Sequence, residues 1–357
     1  MAHAQPVVSP PLYLDTHIVE TLTQGWKEAP QAQLSLMHHL TASTNVIPLE
    51  WGGRHPLPEK QFTAAHAYYR MAWYTQVSVR LGRRSLVYTR GVMQNYTGSP
   101  GAAQLYLDSM GKGASFLREY RVDAYMNNSE VTSWTLEQSI PLQTSEGEGA
   151  MAFGVSLLDT HRVQQGHLSG EMRHWQFQGD LCLNTTRGLP QGRTRGRGIA
   201  IHTAIVLPLP QGGRIGLWAE NVLSVIWQQR LQQIRARVLT NTVIPDADGF
   251  LRAAPLLSGT VQEAERRLSL QPRYTLGAFL PRGASGFAVL IHRDTDWKYW
   301  VVYVRGGIRL AWLWPQGVYA CEWRTGPWQW QIGMSHLQID RVHHVRLTVR
   351  WTSPLRE

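Results

Sequence analysis

The sequence predicts a mainly β protein, a β-sandwich or barrel-like fold with a jelly-roll among the options, carrying a few inserted α-helices and an N-terminal arm. Three observations lead there. Apolar and polar residues alternate with period two over many short segments, as they do in a strand with one buried face. Glycine and proline, 32 and 19 residues, punctuate those segments as turns do. And 357 residues with 43% hydrophobic and 17% charged side chains suffice for a sizeable core.

Taken in order, the first 60 residues read as an arm with short helices: a proline-rich start at Pro6, Pro10 and Pro11, a helical segment over 16–26, and Leu34, Met37 and Leu40 at helical spacing within 29–41. Pro48, Gly52, Gly53, Pro56 and Pro58 separate the arm from a β-rich core over 61–357, whose natural point of division is 210–260. Phe62, His66, Tyr69 and Trp73 predict an amphipathic helix over 59–74. Strands follow where Val77, Val79 and Leu81 alternate with polar neighbours, then over 86–92, 119–124, 131–140, 151–157, 174–181 and 199–207. Leu223, Ile226, Trp227, Arg230, Leu231 and Ile234 predict a helix over 220–234, and Ser258 can cap another over 259–270. Strands resume over 274–280, 287–292, 299–304, 308–314, 318–323, 328–332 and 345–351.

No stretch approaches the roughly 18 consecutive apolar residues of a membrane-spanning helix, since 199–210 is broken by His202 and Pro208. The start lacks the basic and apolar regions of a signal peptide. These two points predict a protein with no membrane partner, cytoplasmic or in a virion and not secreted. Cys182 and Cys321, two cysteines without metal-ligand spacing, agree with that compartment.

The formal charge is +10, carried by 31 arginines and only four lysines. It is uneven: residues 181–357 hold 22 basic and 10 acidic side chains, residues 1–180 hold 13 and 15. Arginine presents a planar fork that grips phosphate or carboxylate bidentately. The sharpest local pattern is Arg187, Arg193, Arg195 and Arg197 interleaved with Gly188, Gly192, Gly196 and Gly198, where a slim backbone lets guanidiniums approach a phosphate chain. The same run is equally what an exposed loop between strands looks like. Eight of the fifteen tryptophans fall in 297–351. Core filling explains them by default, with base stacking or a subunit interface as alternatives.

Motifs for catalysis are missing: no H-E-x-x-H, no G-x-S-x-G, no Walker A loop and no dinucleotide fingerprint occurs. His292, Asp294 and Asp296 form the best cluster of polar ligands, in a position that fits a hairpin turn better than a metal site. No cofactor, metal or catalytic residue is therefore expected. The function predicted is a non-enzymatic structural subunit of a larger particle, such as the coat or accessory protein of a virus-like particle or the backbone of a ribonucleoprotein. Its partners would be other protein subunits and nucleic acid, the latter held by Arg187, Arg193, Arg195, Arg197, Arg309, Arg346 and Arg350. A monomeric RNA- or DNA-binding module and an enzyme with fold-assembled carboxylates are the alternatives. In either case apolar residues should face inward: Trp312, Trp314, Val345, Leu347, Val349 and Trp351 buried, and Arg309, Arg346, Thr348 and Arg350 outward.

Overall fold

Period-two alternation becomes strand throughout a computed structural model, which describes residues 29–46, 64–110, 119–173, 176–186, 195–245, 251–293, 297–314, 317–337 and 341–354. The strands are β1 (Ala29–Thr44), β2 (Ala67–Gly82), β3 (Arg84–Gly98), β4 (Tyr120–Thr144), β5 (Gly147–Arg173), β6 (Gln176–Thr185), β7 (Gly196–Pro208) and β8 (Arg214–Pro245). They continue with β9 (Leu251–Leu268), β10 (Arg273–Arg282), β11 (Ser285–Arg293), β12 (Trp297–Arg305), β13 (Ile308–Trp314), β14 (Val318–Thr325), β15 (Trp328–Met334) and β16 (His344–Pro354). Among the described residues one α-helix, α1 (Pro100–Met110), lies between β3 and β4.

All pairings are antiparallel and most join neighbours in the chain, and β16 returns to pair with β1, Gln33 opposite Pro354 and Ser43 opposite His344. The ring closes on its other side where Arg273 to Phe279 of β10 pair with Glu220 to Arg214 of β8. The result is a closed barrel of 14 strands, made of β1–β5, β7, β8 and β10–β16. Strands β6 and β9 lie outside the ring, paired to the long upper parts of β5 and β8. The β-rich class is as expected. A sandwich or jelly-roll is not, because closure leaves the ring with no free edge and only one sheet.

The two rims differ. At one, β2–β3, β4–β5, β10–β11, β12–β13 and β14–β15 are joined by two-residue turns. Four of these turns begin with glycine, Gly82, Gly283, Gly306 and Gly326, at φ of 55 to 59°. Only glycine adopts that backbone readily, and tight hairpins demand it. The start of β1 and the end of β16 meet at the same rim. The longer connections, including the one that holds α1, are at the other rim.

Alternation is present in the ring with its polarity reversed. Trp73, Trp134, Leu136, Phe153, Val155, Leu217, Leu276, Val289, Val301, Leu310 and Leu347 face outward and are exposed. Ser35, His39, Thr89, Ser133, Thr135, Ser156, His202, Thr275, Gln331, Arg346 and Thr348 face inward and are buried. Trp312 and Trp314 are 42% and 52% exposed, whereas Arg346 and Thr348 are 6% and 3% exposed, so the predicted facing of β13 and β16 is inverted. An outer surface of this size and apolarity is not a surface for water.

Where they are described, the expected helices over 29–41, 59–74, 220–234 and 259–270 are not helical and fall mostly on strands, β1, β2, β8 and β9. In β8 the cause is two bulges. Asn221 and Arg230 have positive φ of 55° and 51°, and the pairing register slips beside each. Beside Asn221 two extra residues leave the alternation in phase, whereas beside Arg230 one extra residue shifts it, so that Ile226 and Leu231 are both buried and the spacing looks helical. The helix expected over 16–26 and the rest of the arm before residue 29 lie outside the described residues. Helix α1 was not expected; its signal in the sequence is Ser99-Pro100, a capping residue followed by proline at the first helical position. The Ser99 hydroxyl oxygen accepts the Ala102 N–H at 3.2 Å.

Candidate functional site

A ring of eight strands can be filled by its own side chains, whereas 16 to 18 strands leave an aqueous channel. Fourteen fall between, and long side chains decide how much space remains. In this barrel the lumen has two unlike walls. One is apolar: Ala204, Val206, Trp218, Phe279, Ala288, Leu290, Trp300, Val302, Leu313 and Val318 pack together from β7, β8 and β10–β14. The glycines in this wall make room for rings. A Cβ on Gly216 would lie 2.3 Å from the Trp218 ring, and one on Gly286 would lie 2.5 Å from that of Phe279.

The other wall, from the turn-side ends of β13 and β14 through β15, β16 and β1 to β5, is polar and tightly hydrogen-bonded. Arg309 donates to the Glu322 carboxylate at 2.5 Å, and Gln329 donates to the same oxygen at 2.7 Å. Arg346 and Thr348 both donate to the Gln331 side-chain oxygen, at 3.0 and 3.2 Å. Arg350 donates to Ser35 at 3.0 Å, and His39 bonds Thr348 at 2.8 Å while stacking on Tyr74. Further round, the Asn221 backbone N–H donates to His202 Nδ1 at 3.2 Å, which leaves Nε2 as the protonated nitrogen facing Ser156 at 2.6 Å. Ser156 is in turn 2.6 Å from Thr135. The bulge at Asn221 is what aims that backbone N–H at the imidazole.

Two contacts cross the lumen and narrow it. Arg273 on β10 donates to the Met93 sulfur on β3 at 3.7 Å, five strands away around the ring, while its other nitrogen lies 3.8 Å from Glu220. Arg346 on β16 lies 5.3 Å from the Trp300 ring on β12. Toward the rim of long connections the lumen opens into a cavity of about 1090 Å³. Its lining includes His39, Arg70, Ala72, Met93, Asp123, Tyr125, Glu220, Arg273, His292, Lys298, Trp300, Leu313, His344 and Arg346.

The arginines expected to hold nucleic acid are scattered. Arg309, Arg346 and Arg350 are in the lumen wall, bonded as above. Arg195 is exposed beside Asp159 at 3.8 Å, and Arg197 is exposed on β7, opposite Trp227 of β8. Arg187 and Arg193 lie outside the described residues. So do Asp294 and Asp296; His292 faces the lumen and bonds Thr275 at 2.8 Å. Among the described residues no group of His, Cys, Asp and Glu is placed to hold a metal ion. Sequence reasoning missed the lumen as a site altogether. Its signal was the recurrence of Ser, Thr, Gln, His and Arg at alternate positions, which reads equally well as a water-facing surface.

The outer face corrects the functional expectation. A coat subunit, a ribonucleoprotein backbone or a nucleic-acid-binding module meets water or phosphate on a polar outer surface, and this ring presents tryptophan, leucine and valine there. The expectations of a capsid or virion, of a cytoplasmic location and of no membrane partner fall with it. They rested on the lack of a long apolar helix, and no helix here is long and apolar enough to cross a membrane. A barrel crosses with strands and needs no such helix.

No protein-family model matches the sequence, and no curated protein does. Among solved structures, a deletion mutant of the TodX monoaromatic hydrocarbon channel matches with 10% identity and a TM-score of 0.47, covering 91% of this chain and 90% of that one. The P. putida toluene transporter TodX matches with 8% identity and a TM-score of 0.46, covering 92% and 91%. The translocator domain of the autotransporter NalP from Neisseria meningitidis matches with 8% identity and a TM-score of 0.32, covering 94% and 91%.

Proposed function

We propose that this chain is a barrel of the outer-membrane type that sits in a bilayer and conducts small solutes through its lumen. The observation that carries the reading is the reversed polarity of a closed ring. Closure satisfies every backbone hydrogen bond between strands, which hydrocarbon requires, and the apolar outer face meets lipid without cost. Strand length supports it, since β10–β16 have 7 to 11 residues against the roughly 9 to 11 that cross a bilayer when tilted.

Aromatic residues on the outer face fall near both rims, as amphipathic rings do at the two lipid–water boundaries. Trp297, Tyr299, Trp312, Trp314 and Tyr319 are toward the long connections, and Phe287, Trp323, Trp328 and Trp351 are toward the short turns. Outer-membrane barrels have short periplasmic turns and longer external loops, so the 1090 Å³ cavity would open to the outside.

The test is reconstitution of the full chain into phospholipid vesicles and planar bilayers. Expected are a compact species that migrates differently on a denaturing gel before and after heating, and stepwise ion conductance. A chain that stays monodisperse in water without detergent and ignores vesicles would overturn the reading.

A further inference from the structure

The chemistry of the cavity at the rim of long connections goes further than a passage for small solutes. Its lining carries four fixed cations, Arg70, Arg273, Lys298 and Arg346, against two carboxylates, Asp123 and Glu220. Both carboxylates are engaged: Glu220 lies 3.8 Å from Arg273, and Asp123 accepts a hydrogen bond from His167 at 2.7 Å. The cations come from β2, β10, β12 and β16, so they surround the space instead of marking one side. Low-dielectric walls focus the field of such a set into the cavity and raise the local concentration of anions.

Beside these charges and a set of Ser, Thr, His and Tyr side chains, the lining has an apolar part. Ala72, Met93, Trp300 and Leu313 contribute, and Trp300 lies beneath the Arg346 guanidinium at 5.3 Å. Each simple class of solute leaves part of this lining unsatisfied. A cation would be repelled. A pure hydrocarbon would strip water from four charges without replacing it, and a sugar would waste the indole and the leucine. We infer that the cavity is a binding site for small organic anions, a carboxylate carried on an apolar or aromatic body, with the carboxylate held by guanidinium forks and the body laid against Trp300 and Leu313. The inference rests on the lumen being the solute path, since it names what that path selects.

The test separates the two ideas. Titration calorimetry on the full chain in detergent would measure binding of benzoate, of benzylamine and of benzyl alcohol, three probes of one shape and different charge. Benzoate should bind, and the other two should bind at least about tenfold more weakly. Replacing both Arg70→Gln and Arg346→Gln should weaken benzoate by about tenfold or more, while Arg70→Lys with Arg346→Lys, which keeps the charge, should recover part of it. In planar bilayers the wild type should favour chloride over potassium and be blocked by benzoate. Benzoate binding without any conductance would sink the channel reading and leave the site standing. Conductance with equal binding of all three probes, or with no benzoate binding, would sink the site and leave the channel. The comparison among probes uses the wild type alone, so it survives a double variant that does not fold.

Discussion

One strand crosses two environments. On β4, Tyr120, Val122, Trp134, Leu136 and Ile140 stand at even positions and share a face. Near its start that face is covered: Tyr120 and Val122 are 3% and 4% exposed where α1 packs on the strand, and Ala103 and Leu107 of the helix are buried too. Tyr120 donates its hydroxyl proton to Asp108 of the helix. Further along, Trp134, Leu136 and Ile140 are bare. The same chain therefore covers its apolar face with protein in one half and leaves it open in the other. No described part of the protein covers the open half.

The sheet beyond the ring teaches the same thing from the polar side. Residues 258–263 of β9 are exposed on both faces, and they include Ser258, Thr260, Gln262 and Glu263. A segment exposed on both sides has no reason to alternate, and this one does not.

Substitutions can break or sharpen that contrast. The largest effect is expected from Tyr120→Ala, which opens a cavity beneath α1 that protein cannot refill and should destabilise by about 3 to 5 kcal/mol. Chemical unfolding in phospholipid vesicles measures it. Next comes Val289→Arg on the open face near the middle of β11, where a guanidinium in hydrocarbon should cost about 2 to 4 kcal/mol by the same assay. A neutral result there would mean that water, not lipid, meets this face. Trp134→Ala should cost only about 1 kcal/mol, because lipid chains fill the space that the indole leaves. An equal loss for Trp134→Ala and Tyr120→Ala would erase the contrast. The smallest effect is expected from Val261→Arg on β9, within about 0.5 kcal/mol, since that side chain already stands in water.

The period-two segments were legible because alternation is a local property of a strand, and those predicted from 274 to 351 all fall on strands. Which face was inside was not legible. Alternation of Trp312 and Trp314 with Leu313, or of Leu347 with Arg346 and Thr348, is the same string of letters whether water or lipid lies outside. One cue was available: a soluble sheet rarely puts Arg, Gln and Glu opposite one another on consecutive strands of its inner face, as Arg309, Glu322 and Gln331 do here, and Gln329 and Arg350 beside them. That register exists only after the strands are paired. The lumen was hidden for the same reason, since Arg273 and Met93 are 180 residues apart in sequence. The helices wrongly expected over 220–234 and 259–270 follow from the bulges of β8 and from the two-sided exposure of β9.

The pairing of β1 with β16 also sets the order of events in making the protein. Gln33 finds Pro354, and Ser43 finds His344, across some 300 residues of intervening chain. Contacts of that separation are among the slowest to form, because loop closure must be achieved before they return any free energy. Until β16 is made and delivered, β1 and β15 each hold an open edge of unpaired backbone groups, which hydrocarbon does not tolerate. In a bilayer, closure of the ring would therefore await β16, and a ring without that strand would keep two unsatisfied edges.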